Sequence, residues 1–247
     1  MSSKNPMRVM DGTARPYEPF WSFRNDAGGE PELEFYGPIS EYSWWGDEIT
    51  PKIFKEDLYR AGGGGPITVR MNSGGGEVIA ASVIKSILVE YPGKVTVLIE
   101  GLAASAATVV AMAGDVIRMQ ESAYFMIHDP SALAYGTIEE LKQLLGVLKT
   151  VKDGIVDSYE TRTHIDPVKL AKMMTDETWM TARDAVELGF IDEVIAGTKP
   201  KASLKNAAFL NCFSNYVNVP AALLPVQVSE PDEQALERLR AEVRILK

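Results

Sequence analysis

Apolar positions along this chain follow two alternating rhythms, short unbroken runs and longer stretches with three- and four-residue spacing. Leu33 to Ile39 is an apolar and aromatic run of strand length. Asp47 through Leu58 carries Ile49, Ile53, Phe54 and Leu58 at helical spacing, with Thr50-Pro51 as cap and first-turn pair. Gly62 to Gly65 then breaks the chain and reads as a flexible connector without a chemical role. Ile67 to Met71 predicts a strand, Gly74-Gly75-Gly76 a turn, and Val78 to Glu90 a helix. Lys94 to Ile99 predicts the next strand, followed by a turn of small residues and a short apolar helix from Ala106 to Ala113. Asp115 to Arg118 and Ala123 to His128 read as further strands. Strand–turn–helix units of this length predict an α/β fold, with helices packed against a largely parallel sheet.

Beyond that core the pattern lengthens. Thr137-Ile138-Glu139-Glu140 has the form of a capping box. Ile138, Leu141, Leu144, Leu145, Leu148, Val151, Ile155 and Tyr159 follow as an amphipathic stripe. The helix they predict reaches about Arg162, longer than an average helix, which leaves part of it to project and meet a second subunit. Asp166-Pro167 restarts a short helix, Thr181 caps another, and Gly189 ends it before a strand from Phe190 to Ile195. Residues 1–30 carry scattered charge, prolines and Gly28-Gly29, and read as a loosely held arm. Residues 31–197 form the expected domain. Residues 198–247 change composition and read as an appendage, with a terminal helix from Glu233 to Leu246.

Composition narrows the function classes. A net charge of −9 gives no reason to expect a polyanion, so nucleic acid is not an expected partner. The single cysteine, Cys212, excludes an internal disulfide and a cysteine-rich metal site, and fits a reducing compartment. Met1 to Arg8 lacks the apolar core of a secretory signal. No apolar run approaches the roughly 20 residues of a membrane span. A cytoplasmic protein with no membrane partner is the expectation.

The candidate chemistry lies between Gly74 and Pro130. Ser105 falls where a strand gives way to a short helix, in Gly101-Leu102-Ala103-Ala104-Ser105-Ala106. A serine among alanines is more often a packing residue, but this one sits where the helix N-terminus offers free N–H groups and its positive dipole end. A hydroxyl there can attack a carbonyl while the N–H of Ala106 supports the developing oxyanion. Gly74-Gly75-Gly76 is neither a dinucleotide-binding loop nor a P-loop, so no cofactor is expected. Its bland reading is a tight turn. Its functional reading is that Gly76 offers a second N–H to the same oxyanion. His128 ends an apolar strand whose two faces predict burial, and a lone buried histidine is usually structural. The chain has only one other histidine, His164, which sits in a polar helix exit and reads as solvated. His128 is therefore the better candidate for an imidazole base.

Four segments together carry a resemblance. Asn72-Ser73-Gly74-Gly75-Gly76, Gly101-Leu102-Ala103-Ala104-Ser105-Ala106, Met126-Ile127-His128-Asp129-Pro130 and Thr181-Ala182-Arg183-Asp184-Ala185-Val186-Glu187-Leu188-Gly189-Phe190-Ile191-Asp192 occur in the order and spacing of ClpP-type serine proteases. From about Leu33 to Ile195 the chain resembles that family. The resemblance implies a crotonase-like fold of stacked ββα units and a homo-oligomeric ring that encloses its active sites. It implies Ser105 as nucleophile, His128 as base, and the N–H groups of Gly76 and Ala106 as oxyanion hole. The third triad member is where the chain departs: the family usually carries an aspartate shortly before the last of these motifs, and counting back from Thr181-Ala182 reaches Glu177 instead. Asp176 is its neighbour, and either carboxylate can orient an imidazole. The register favours Glu177 and keeps Asp176 in reserve.

The Glu177-Thr178-Trp179 form, Trp44-Trp45-Gly46 and the long appendages are similar to ClpP-related proteases of tailed phages and prophages. That likeness implies head maturation, with a capsid or scaffold protein as the protein or peptide substrate. The N-terminal arm does not resemble that of the housekeeping enzyme, which argues against an ATPase partner. Two rival readings share the fold. A crotonase-type enzyme acting on acyl-CoA thioesters would use the paired N–H groups without needing the serine and histidine. A non-catalytic assembly or scaffold component would keep the fold alone.

Overall fold

A computed structural model describes residues 7–10, 13–16, 21–24, 30–39, 51–196 and 216–220. Strand β1 (Met7–Met10) pairs antiparallel with β2 (Thr13–Pro16) as a hairpin separate from the main sheet. The main sheet begins with β3 (Trp21–Arg24), antiparallel to β4 (Glu32–Tyr36). The segment expected to be a loose arm thus contributes a strand. The reason is Trp21, which is buried edge-on against Phe54 with ring centroids 5.3 Å apart. Phe54 belongs to helix α1 (Pro51–Gly62), which ends at the predicted glycine tract. Trp44-Trp45-Gly46, Thr50 and the expected helix from Glu233 to Leu246 lie outside the described residues.

Strand β5 (Ile67–Ser73) continues the sheet in parallel and buries every second residue. It leads through the glycine triplet into α2 (Val78–Val89). Strand β6 (Val95–Ala104) is longer than its apolar run predicts. Its first part, Thr96 to Ile99, pairs with β7 (Val116–Gln120), whereas Leu102 to Ala104 pairs with β8 (Tyr124–Ile127). The small residues expected to form a turn are therefore strand, and they let β6 change neighbours. A Cβ on Gly101 would fall 2.8 Å from Oδ1 of Asn72, which shows how closely β5 approaches there. The turn itself shrinks to Ser105, ahead of α3 (Ala106–Ala111).

Helix α4 (Ile138–Thr163) carries the predicted capping box at Thr137 and Glu140. Only its C-terminal half packs: Ile155, Val156 and Tyr159 are buried, while Ile138, Leu141 and Leu145 are exposed. Helix α5 (Pro167–Thr175) starts at Asp166, whose carboxylate accepts the N–H groups of Val168 and Lys169. The segment after it, expected to be a loop, contains strand β9 (Thr178–Thr181), antiparallel to β8. Four residues with only Met180 fully buried give too short a rhythm to read. Helix α6 (Ala182–Glu187) follows with its own capping box, then β10 (Glu193–Ile195), parallel to β7. The 8-stranded sheet runs β10-β7-β6-β5-β4-β3, with β8 and β9 branching from β6.

Phe125, Phe190 and Tyr159 stack at 5.3 and 5.5 Å beneath this branch point. Each such ring contributes about 1.5–3 kcal/mol by leaving water. This packing holds the end of β8 and the start of α3 as one rigid platform. Among the described residues, no helix is long and apolar enough to cross a membrane.

Candidate active site

Ser105 stands between the end of β6 and the start of α3 with φ 56 and ψ −128. A non-glycine residue at positive φ is strained, so the surroundings must hold it. Its N–H donates to the carbonyl of Met126 at 2.9 Å. Its carbonyl accepts the N–H of Thr108 at 2.9 Å and the Thr108 hydroxyl at 2.5 Å. The Thr108 hydroxyl proton is committed to that carbonyl, so the Tyr159 O–H, 2.6 Å away, donates to Thr108 Oγ1. Burial pushes the Tyr159 phenol well above its ordinary value, against the Thr108 hydrogen bond, which keeps it a donor. The relay from Tyr159 through Thr108 ends on the peptide unit that also carries the N–H of Ala106. It therefore fixes the plane in which that N–H points.

The glycine triplet abuts this turn. Ser73 Oγ donates to the carbonyl of Gly37 at 2.6 Å and accepts the N–H of Gly75 at 3.1 Å, which orders the loop from inside. Gly75 has φ 88, and a Cβ there would lie 2.8 Å from Cβ of Ser105 and 2.9 Å from N of Ala106. Gly76 has φ 145 and is pressed against Ile39, where a Cβ would meet the carbonyl oxygen at 2.0 Å. Only glycine fits either position. Both N–H groups expected to serve an oxyanion, on Gly76 and Ala106, thus belong to loops in direct contact.

His128 is one residue past β8 and half-buried, not fully buried as its strand implies, because the strand ends at Ile127. Its Nε2 lies 2.7 Å from Ser105 Oγ. Burial holds the imidazole below its ordinary value, while the charges of Glu177 and Asp129 pull it upward. His164 is exposed at the C-cap of α4, as expected.

The β8–β9 register pairs Met126 with Trp179 and Ile127 with Thr178. One step beyond the ladder, His128 faces Glu177. That geometry distinguishes the two carboxylates. Asp176 forms an ion pair with Lys172 at 2.5 Å, on the exposed side of α5. Glu177 takes a left-handed conformation, φ 50, and its carboxylate accepts the Trp179 indole N–H and the N–H groups of Val217 and Asn218. Burial alone would raise its carboxyl, but the N–H groups of Val217 and Asn218, the Trp179 indole and the nearby His128 outweigh this and hold it below the ordinary range. Among the described residues no hydrogen bond joins Glu177 to His128.

Residues 216–220, part of the expected appendage, return to this site. The Tyr216 ring meets His128 edge-on at 5.4 Å and Trp179 at 5.7 Å, and its hydroxyl donates to the carbonyl of Gly74. No sequence signal marks Tyr216, because its partners lie far away along the chain. Thr108 was detectable in principle, as the one polar side chain in an otherwise apolar helix, three residues after Ser105. Among the described residues no group of His, Cys, Asp and Glu is placed to hold a metal ion.

Comparison with known proteins places this geometry in context. Residues 57–198 match the Clp protease family model. The ATP-dependent Clp protease proteolytic subunit 2 of Thermobifida fusca is 31% identical over 134 residues, covering 53% of this chain and 66% of that protein. Proteolytic subunit 1 of Protochlamydia amoebophila is 32% identical over 153 residues, covering 60% and 73%. The chain thus spans between 66% and 73% of the length of these two curated relatives. Among solved structures, a ClpP1 mutant from Listeria monocytogenes superposes with a TM-score of 0.59 at 20% identity, covering 68% of this chain and 93% of that one.

Proposed function

Because this chain belongs to the Clp protease family and has its crotonase-like α/β fold, we propose that it is a serine endopeptidase that works through an acyl-enzyme on Ser105. The observation that carries this reading is the 2.7 Å contact between Ser105 Oγ and His128 Nε2 at a strained strand-to-helix turn. His128 takes the hydroxyl proton as Oγ attacks the scissile carbonyl, and later gives it to the leaving amine. The N–H groups of Gly76 and Ala106 stabilise the oxyanion, a role worth about 2.7–4 kcal/mol per donor in comparable sites. Glu177 is the carboxylate that stabilises the imidazolium, supported by its place across from His128 in the β8–β9 register.

The substrate within this reading is a capsid or scaffold protein of a tailed phage. It is supported by the Glu177-Thr178-Trp179 form, Trp44-Trp45-Gly46 and the long appendages. Assembly into a homo-oligomeric ring is supported by the exposed apolar residues Ile138, Leu141 and Leu145 on the projecting half of α4. A surface of that kind marks a contact with another chain. Co-expression with tailed-phage capsid and scaffold proteins tests the substrate. Defined cleavage products are expected with the natural chain and none with Ser105→Ala. Identical products from both would remove Ser105 from the reaction.

A further inference from the structure

The face built from the Gly74 carbonyl, the His128 ring, the Trp179 indole and the Glu177 carboxylate is already occupied. Val217 donates its N–H to both carboxylate oxygens of Glu177 at 2.9 Å, and Asn218 donates its own to Oε1 at 2.6 Å. The Asn218 side-chain amide reaches the carbonyl of Asp176 at 3.1 Å. Tyr216 covers His128 and donates to Gly74, one residue before the loop that meets Ser105. Val219 and Tyr216 pack on the small apolar cluster of Leu102, Ala104 and Met126. Four consecutive residues, 216–219, thus touch Glu177, the Gly74 loop and the His128 ring between them.

We propose that residues 216–219 are an intramolecular pseudo-ligand, which excludes substrate and draws the Glu177 carboxylate away from His128. The inference rests on the serine-protease reading above. Three observations favour exclusion over assistance. The Glu177 oxygens are directed to the strap and to Trp179, and no hydrogen bond reaches His128 among the described residues. The Tyr216 ring lies edge-on against the imidazole that a substrate must approach. The contacts to Glu177 come from backbone N–H groups of a segment whose Val217 is 87% exposed, so the strap can leave without unfolding the core. Hydrogen bonds from N–H groups to a carboxylate are strong singly, yet a competing substrate can offer the same groups. Release frees Glu177 to support the imidazolium, so departure of the strap and assembly of the triad are one event.

Proline at 217 removes one donor, proline at 218 removes the backbone N–H and the side-chain amide, and both leave every proposed catalytic group in place. The test compares full-length protein with the Val217→Pro, Asn218→Pro and Tyr216→Ala variants, reading the rate at which a fluorophosphonate labels Ser105. Ser105→Ala sets the background. Each variant is expected to label on the order of tenfold faster, the prolines by the population shift that one charge-assisted hydrogen bond commands and Tyr216→Ala by uncovering His128. Hydrogen exchange at the amides that remain in residues 216–218 should rise in the same variants. Equal labelling rates, or slower labelling in the variants, would overturn the pseudo-ligand and leave the protease reading standing. Labelling of none of these proteins, including the variants, would overturn both.

Discussion

The Tyr159–Thr108 pair makes a quantitative test, because each hydroxyl is the other's buried partner. Thr108 is fully buried and Tyr159 is 1% exposed, so neither can turn to water. Tyr159→Phe keeps the ring against Phe190 but leaves Thr108 Oγ1 without its donor. Thr108→Val keeps the volume but strands the Tyr159 hydroxyl and takes one of two donors from the Ser105 carbonyl. Tyr159→Phe costs about 1 kcal/mol, because Thr108 Oγ1 still donates to the Ser105 carbonyl, whereas Thr108→Val leaves the buried Tyr159 hydroxyl unpaired, which costs about 2 kcal/mol. For a chain of this size that lowers Tm by about 4–8 °C. The double variant removes both polar groups together, so its cost should lie near that of one single change, with a coupling of about 1–2 kcal/mol. Thermal denaturation of the four proteins measures the cycle. Fluorophosphonate labelling of the same proteins reads the site, and the relay predicts a slower rate in Thr108→Val, where the peptide plane bearing the Ala106 N–H loses its anchor. Strict additivity of the two stability losses would refute the relay, as would labelling rates untouched by either change.

Other outcomes follow from the same geometry. His128 must be neutral to accept the Ser105 proton, and burial holds its folded pKa below the 6.5 of a free imidazole. Labelling and cleavage should therefore stay full through neutral pH and fall only as pH drops through that lowered value, and an acid limb above 6.5 would contradict it. The same shift means that the unfolded chain binds the proton more readily, so this group costs stability on acidification and returns it as pH rises. Gly75→Ala forces a Cβ to 2.6 Å from the carbonyl oxygen of Ala104 at φ 88. It should cost roughly 2 kcal/mol or more in urea denaturation and suppress labelling, and a neutral effect would deny the close contact of the two loops. Leu141→Glu with Leu145→Glu should leave the fold intact and yield smaller species in analytical ultracentrifugation. Unchanged sedimentation would take that face of α4 out of any assembly.

How much of this was legible in the sequence depended on the range of the interaction. The strands and helices from Ile67 to Ile127 could be read because each carries its own apolar rhythm, and the Thr137 capping box and the Thr181 cap because a cap is local chemistry. Strand β9 could not, since four residues with a single fully buried side chain leave no rhythm. Strand β3 escaped for a different reason: Trp21 is held by Phe54, a contact that nothing nearby announces. The end of β6 was misread because small residues suit a turn and a crowded strand crossing equally well. Ser105, His128, Gly76 and Ala106 could be named as candidates through motif order, and the structure brings Ser105 and His128 to 2.7 Å of each other. The choice between Glu177 and Asp176 was a matter of one residue of register, and it became tractable only once β8 and β9 were paired. Tyr216 was invisible, because its role exists only through contacts with Gly74, His128 and Trp179.

The central claim is that Ser105 is an activated nucleophile. Treat the full-length protein with a fluorophosphonate at neutral pH, and map the adduct by mass spectrometry after digestion. The geometry predicts one adduct, on the peptide containing Ser105, absent in Ser105→Ala and strongly reduced in His128→Ala. An adduct on another residue, or equal modification of all three proteins, would contradict it.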